Sequence, residues 1–496
     1  MKNNINYFVF TLLLFALVAT SCKKYIDFLP ENTLPAKQTD FTITANAYQP
    51  VAGLYSSFNS KVGGWTTEAF TVIRDPDLEK GNANPNDQQQ LTGFNQFDYS
   101  QAPAFWMTNN VWTGNYTTVI NANNALIALD QYKAASASQT DKDLIDQYKA
   151  EVRVLRAYSY FVLYRDFGDV PLFTINGDPS SYKKAKFEDI IAFIKTEMDD
   201  CYNILPKVHP KDMPNKGAAS AYTALALKAK AAADILDYDS MLSATEAIIA
   251  SGKFDLYPDF INLFNRSGRL CIENLFEAQF SNLNQNSGPS TTTDAFWAWE
   301  GIAHPIGSFK KFPGGKNLNG GWGFGVPTQK LVDFLVSRNE TTRMKVTVLK
   351  VGSVTYGFDT IKTNNAPYPT MYNGKAYVPS SQIEDGRNDY GSGNNVRLIR
   401  YADILLLNAE AKVAKGQNGD VSLNKVRNRV GLSSLTNATL AQIYDERHAE
   451  LAMEWGEEYY DLVRTERAAS KLPGWSTDKR FFPKPTPQTD LNPNLL

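Results

Sequence analysis

The strongest constraint on the fold lies near the C-terminus, in residues 397–467, which include RLIRYADILLLNAEAKVAKG, LNKVRNRVGL and ERHAELAMEWGEEYYDLVR. From Tyr401, apolar residues fall at Ile404, Leu405, Ala409 and Val413, the three-and-four spacing of one helical face. Gly416 predicts the end of that helix, because glycine takes up a left-handed C-cap without steric cost. A second helix is expected over 421–430, closed by Gly431. A third, longer one carries a single stripe of Leu440, Ile443, Tyr444, His448, Leu451, Trp455, Tyr459 and Leu462. No helix of this kind buries its stripe alone, so the upstream chain must supply partners.

Upstream segments carry the same period. Helices are expected over 45–58, 111–129, 141–167, 187–205, 216–236 and 238–250. The stripe of 141–167 includes Leu144, Tyr148, Val152, Leu155, Tyr158 and Val162. Residues 216–236 are Ala-rich, and with 238–250, capped by Gly252, they have the form of a tetratricopeptide unit. Residues 401–415 with 421–430 have the same form. The two pairs do not recur at one spacing, so degenerate repeats broken by insertions are expected. The fold class is therefore all-α dominated. Tetratricopeptide-like helix pairs at 45–281 and 396–496 form a scaffold, and a loop-rich insertion at 282–395 holds a helix near 330–337 and short strands near 345–350 and 354–358. Residues 60–104, rich in Gly, Asn and Gln, read as a long structured loop, and the tail beyond Leu472 as irregular or fraying chain.

Residues 1–21 (MKNNINYFVFTLLLFALVATS) join one Lys to an apolar run and then small residues, the form of a signal peptide. The run falls short of the roughly 20 apolar residues that a spanning helix needs. Ala-Thr-Ser-Cys resembles a bacterial lipobox, with Ala19 where Leu is commonest. Cys22 is accordingly expected to be lipidated and to become the mature N-terminus, with 22–44 as the tether to the membrane. The alternative is an ordinary cleaved leader with an incidental Cys.

Composition narrows the chemistry. Lys and Arg total 50 against 52 Asp and Glu, so there is no basic surplus of the kind that nucleic acid requires. The three His (His209, His304, His448) fall in no HExxH motif, and no paired CxxC, GxSxG or GxxxxGKS occurs. No carboxylate pair stands out for glycoside cleavage. No enzyme activity, cofactor, catalytic residue or metal ligand is assigned. Cys201, in a helix-like run, reads as a small buried hydrophobe rather than half of a bridge. Glu446, Glu450 and Glu454 share a helix face beside Arg447, Glu457, Glu458, Asp461 and Arg464. This cluster is expected to pair with Arg400, Arg427 or Arg429 and to fix helix register rather than bind substrate.

The tryptophans remain. Trp112 and Trp455 fall on helical stripes and are expected in the core, and Trp106, beside the first long helix, is expected to pack. Trp65, Trp297, Trp299 and Trp322 lie in Gly/Asn-rich segments without helical period, where a Trp either pins a loop or offers its face to a ligand. Aromatic faces suit the apolar C–H patches of sugar rings, and amides and carboxylates bind the hydroxyls. Phe296, Trp297 and Trp299 with Asp294 would make such a set.

Four stretches together resemble the SusD/RagB family of outer-membrane nutrient-binding lipoproteins. They are Cys22 followed by YIDFLPEN; EVRVLRAYSYFVLYRDFGDVPL from Glu151; the Ala-rich pair running on to FDLYPDFINLF; and, most specifically, RLIRYADILLLNAEA through YYDLVR. The resemblance implies four tetratricopeptide-like units supporting a loop-rich ligand face. It also implies a cell-surface, lipid-anchored protein of the outer membrane that binds oligosaccharide, or in some members peptide, and delivers it to a TonB-dependent transporter of the SusC type. It implies no catalysis. Ligand residues follow no fixed motif in the family, so only regions carry over, here Trp65 and the Phe296–Trp299 segment. Trp322, in GGWGFGVPT, resembles a recurrent family element that precedes a helix, which favours a structural role. A tetratricopeptide scaffold that only bridges proteins is the remaining alternative.

Overall fold

The computed structural model describes residues 39–281, 321–361, 369–382 and 393–496. Cys22, Asp294, Phe296, Trp297 and Trp299 lie outside the described residues. Helices dominate. They are α1 (Gln49–Lys61), α2 (Trp65–Val72), α3 (Gln90–Asn95), α4 (Trp106–Ala135), α5 (Gln139–Phe167), α6 (Phe187–Ile204), α7 (Ala221–Ala233), α8 (Tyr238–Ala250), α9 (Gln329–Ser337), α10 (Thr341–Thr347), α11 (Tyr401–Ala414), α12 (Asp420–Arg429), α13 (Leu440–Leu451), α14 (Glu457–Arg464), α15 (Ala468–Lys471) and α16 (Thr486–Leu491). None of these is long and apolar enough to cross a membrane. Local chemistry sets the ends. Ser138 caps α5 through the Asp141 N–H, Thr223 Oγ1 accepts from the Ser220 N–H at the start of α7, and a reciprocal capping box opens α13 (Thr439 with Gln442).

The strands are short and pair in twos, all antiparallel. They are β1 (Leu78–Gly81) with β5 (Phe324–Pro327), β2 (Val170–Pro171) with β3 (Lys184–Ala185), β4 (Asn274–Ala278) with β8 (Val396–Arg400), and β6 (Val348–Lys350) with β7 (Met371–Asn373). Helices α1, α4, α5, α6, α7 and α8 pack in succession, and α8 then packs on α11. The two repeat-like pairs are thus neighbours in space although some 150 residues of sequence separate them. Asn408 makes the join: its amide donates to Thr245 Oγ1 on α8 and accepts from Ser422 Oγ on α12. Lys415 adds an ion pair to Asp239. The β4–β8 ladder closes the base of the insertion. One apolar cluster runs through the helices, and a smaller one around Phe260, Phe264, Tyr356, Tyr372 and Tyr377 lies under the insertion.

Several expectations are corrected. The stripe from Leu440 to Leu462 is not one helix. The chain leaves helical geometry after Leu451, with Met453, Trp455 and Gly456 at φ of 65°, 52° and 68°, and restarts as α14. Trp455 is therefore on no helical stripe; half-buried, it donates from Nε1 to the Arg397 carbonyl. Residues 60–104 are not one long loop, since they hold α2, β1 and α3. Leu144 is exposed, and its neighbour Ile145 is the residue that α5 buries there. The segment expected to begin as a strand at 345 is helical to Thr347, and only Val348–Lys350 pairs as β6. The tail packs rather than frays: Phe482 is buried and its N–H donates to the Asp166 carbonyl.

The charge cluster is structural, as expected, and extends further than the sequence suggests. Arg427 pairs with Glu446, Arg429 with Glu273 and Glu450, and Arg400 with Glu273, Glu450 and Glu454. Arg343 of α10, fully buried, meets Glu340, Glu446 and Glu450 at 2.7, 2.7 and 3.0 Å. Burial pushes the Glu450 carboxyl up, but the facing Arg429, Arg343 and Arg400 outweigh it and hold the group well below the ordinary range. The insertion is thereby clamped to α12 and α13 through buried arginines and carboxylates that each meet a partner of opposite charge.

Candidate functional site

Three tryptophans from distant parts of the chain meet at one place. Trp65 opens α2, Trp106 opens α4, and Trp322 stands just before β5. The Trp65 ring lies 5.4 Å from that of Trp322, edge to face at 75°, and 6.2 Å from that of Trp106, tilted at 58°. Each is fixed by its own element. Ahead of Trp65, Gly63 sits so close to Ala278 that no Cβ would fit, and Thr67 Oγ1 donates to the Lys61 carbonyl at 2.6 Å. Trp322 is held by the β1–β5 register, Gly81 opposite Phe324. Gly81 is at φ 70°, where a Cβ would lie 2.5 Å from the Gly323 carbonyl, so glycine is required.

The loop after β1 completes the surface. Lys80 is buried and donates from Nζ to the carbonyls of Asn84, Pro85 and Asp87, at 3.3, 3.1 and 2.6 Å. Burial lowers its pKa, against the opposing pull of Asp87. One ammonium thus folds the loop around itself and turns its charge inward. That placement brings Gln88 to Trp106, whose Nε1 donates to Gln88 Oε1 at 2.9 Å. Nearby, Thr66 Oγ1 donates to Asn110 Oδ1 at 3.1 Å. Indole faces bordered by amides and hydroxyls are suited to stacking on and hydrogen-bonding a neutral, hydroxyl-rich ligand.

The structure brings together Trp65 and Trp322 of the residues singled out in the sequence. It adds Trp106, which was expected to pack and is instead 45% exposed. The reading failed because Trp106 is the first residue of α4, where the outward face of the helix has no apolar stripe to betray it. The available signal was the lack of charge: no Asp, Glu, Lys, Arg or His occurs from Tyr99 to Leu129. Trp112 is core, at 3% exposure. His209 is buried, which brings its imidazole down to about 4, and its Nδ1 accepts from the Lys211 N–H. His448 pairs with Asp77 at 2.8 Å. Among the described residues, no group of three His, Cys, Asp or Glu is arranged to hold a metal ion. Cys201 and Cys271 are both free thiols.

Two family models match the chain. One, described as the SusD family, covers residues 337–489, and the other, described as starch-binding associating with outer membrane, covers 24–226. Among curated relatives, the SusD-like protein P2 of Formosa agariphila is 22% identical over 93% of both chains, and a SusD-like protein of Bacteroides ovatus is 23% identical over 77% of this chain and 70% of its own. Among solved structures, a laminarin-binding SusD-like protein superposes with a TM-score of 0.78 at 23% identity, covering 90% of this chain and 97% of that one. Surface glycan-binding protein A from Bacteroides thetaiotaomicron, solved with laminarihexaose, has a TM-score of 0.75 at 22% identity, covering 91% and 98%. These likenesses establish a shared fold.

Proposed function

Because the chain belongs to the SusD/RagB family, we propose that it captures a neutral glycan on the surface made by Trp65, Trp106 and Trp322 and passes it to a TonB-dependent outer-membrane transporter of the SusC type. Its role is binding rather than turnover. The observation that carries this reading is the convergence of three indoles, from three separate segments, on a surface whose fixed polar groups are amides and hydroxyls. The insertion at 282–395 supplies part of the ligand face, with Asp294, Phe296, Trp297 and Trp299 as further contacts. The helical pairs at 45–281 and 396–496 supply the scaffold. Acyl chains on Cys22 hold the protein at the membrane, with 22–44 as the tether.

The solved relatives that bind laminarin, or were solved with laminarihexaose or a xylogluco-oligosaccharide, support a glycan over a peptide. Affinity electrophoresis through a panel of neutral polysaccharides, run beside a peptide library, tests the reading. Retention by a polysaccharide supports it, and binding to peptides alone would remove it.

A further inference from the structure

The face of α4 that begins at Trp106 leads to a second aromatic cavity. From Trp106, steps of seven, four and three residues reach Thr113, Thr117 and Ile120, which share one side of the helix. All three line a pocket of about 210 Å³ between α4, the β2–β3 hairpin and the C-terminal segment. Its wall is a column of three near-parallel rings: Tyr116 and Phe173 are 5.7 Å apart at 10°, and Phe173 and Tyr182 are 4.2 Å apart at 3°. The column is fixed by polar groups that are already satisfied. Tyr116 Oη donates to the Pro171 carbonyl at 2.8 Å, and the buried Asn492 amide donates to the carbonyls of Pro179 and Tyr182 at 2.9 and 2.7 Å. Leu491 of α16 forms the opposite rim, and Gln488 Nε2 donates to Asn109 Oδ1 at 2.9 Å between this cavity and Trp106.

We infer that this cavity is a second sugar subsite of one extended groove, occupied by a more distant part of the same neutral glycan that lies on Trp65, Trp106 and Trp322. The inference rests on the glycan reading of that site. Three observations carry it. The two aromatic surfaces lie on one helix face, Thr117 being roughly 16 Å along the axis from Trp106, the span of several sugar units. The stretch between them presents Asn109, Asn110, Thr113 and Thr117 and no charge, whereas a solvent-facing helix ordinarily carries its charged residues there. The ring column lines the cavity and is held in place by hydrogen bonds that are already made, so it offers preformed apolar surface to the C–H patches of a sugar.

The test uses the full-length protein and oligosaccharides cut from whichever panel polysaccharide it retains, one series of two to three units and one of six to eight, in both cases about those lengths. Thr117→Lys puts a charged stem into the groove. Thr117 is exposed and bonds only within its own helix, donating to the Thr113 carbonyl. Leu491→Ala, at a residue 54% exposed, removes the opposite rim. The long series should bind roughly tenfold more weakly in each variant, with the short series unchanged. Equal binding of both series by wild type and variants would overturn the second subsite, and so would equal weakening of both. Should no neutral polysaccharide be retained, or should Trp106→Ala leave retention intact, the glycan reading itself falls and this inference falls with it.

Discussion

Arg343 is fully buried against Glu340, Glu446 and Glu450, and nothing in its own segment announces this. Arg343→Met removes the buried cation that these carboxylates share and leaves Glu446 to Arg427 and Glu450 to Arg400 and Arg429, so a loss on the order of 3 kcal/mol in unfolding free energy is expected in urea titrations. His448 makes a pH-dependent contact. Burial works against its charge, but the Asp77 and Glu458 carboxylates prevail and raise the imidazolium to about 9 from 6.5. A group whose folded pKa is raised contributes stability in full below its unfolded pKa and loses it as pH rises through the folded one. Stability should therefore fall between pH 6.5 and about 9, by on the order of 2–3 kcal/mol, and His448→Asn should flatten that limb. Glu458 acts in the same direction one window lower. Burial pushes its carboxyl up to about 7, so its contribution is lost as pH rises from about 4.5 through 7. At this scale the acidic partners of Arg400, Arg427 and Arg429 were legible, because carboxylates spaced by four share a face. The pairing of Arg343 with Glu446 and Glu450, and of Asp77 with His448, was not, because those partners come from chain more than a hundred residues away.

At the scale of elements, the joint between α13 and α14 is the instructive failure. Tyr444, His448, Leu451, Trp455, Tyr459 and Leu462 keep helical phase across it, so periodicity alone cannot see the break. The local signal was Gly456, which sits at φ 68° with Thr71 and Val72 crowding the place of a Cβ at 3.2 and 3.3 Å. Gly456→Ala combines backbone strain with a close contact to α2 and should cost about 1–3 kcal/mol, read from the urea midpoint at unchanged slope. The same limit hid α2 and α3, which are too short to show a period. Long amphipathic helices were read almost to the residue, as with α8 and α6. Trp106 was missed as a site residue because its helix begins five residues before the stripe does.

For the whole molecule, the repeat character of the pairs α7–α8 and α11–α12 was visible, but their adjacency was not, since it is created by the β4–β8 closure around the insertion. That closure places the β1–β5 ladder, and with it Trp322, beside the two helix starts that carry Trp65 and Trp106. The central claim is that these indoles hold a glycan and are not merely packing. Trp106 tests it most directly, being the ring whose exposure leaves the core untouched. Affinity electrophoresis of Trp106→Ala on the retained polysaccharide, paired with thermal unfolding, should show at least roughly tenfold weaker retention with a melting midpoint close to that of wild type. Undiminished retention, or a loss of binding accompanied by a collapse in stability, would contradict the account.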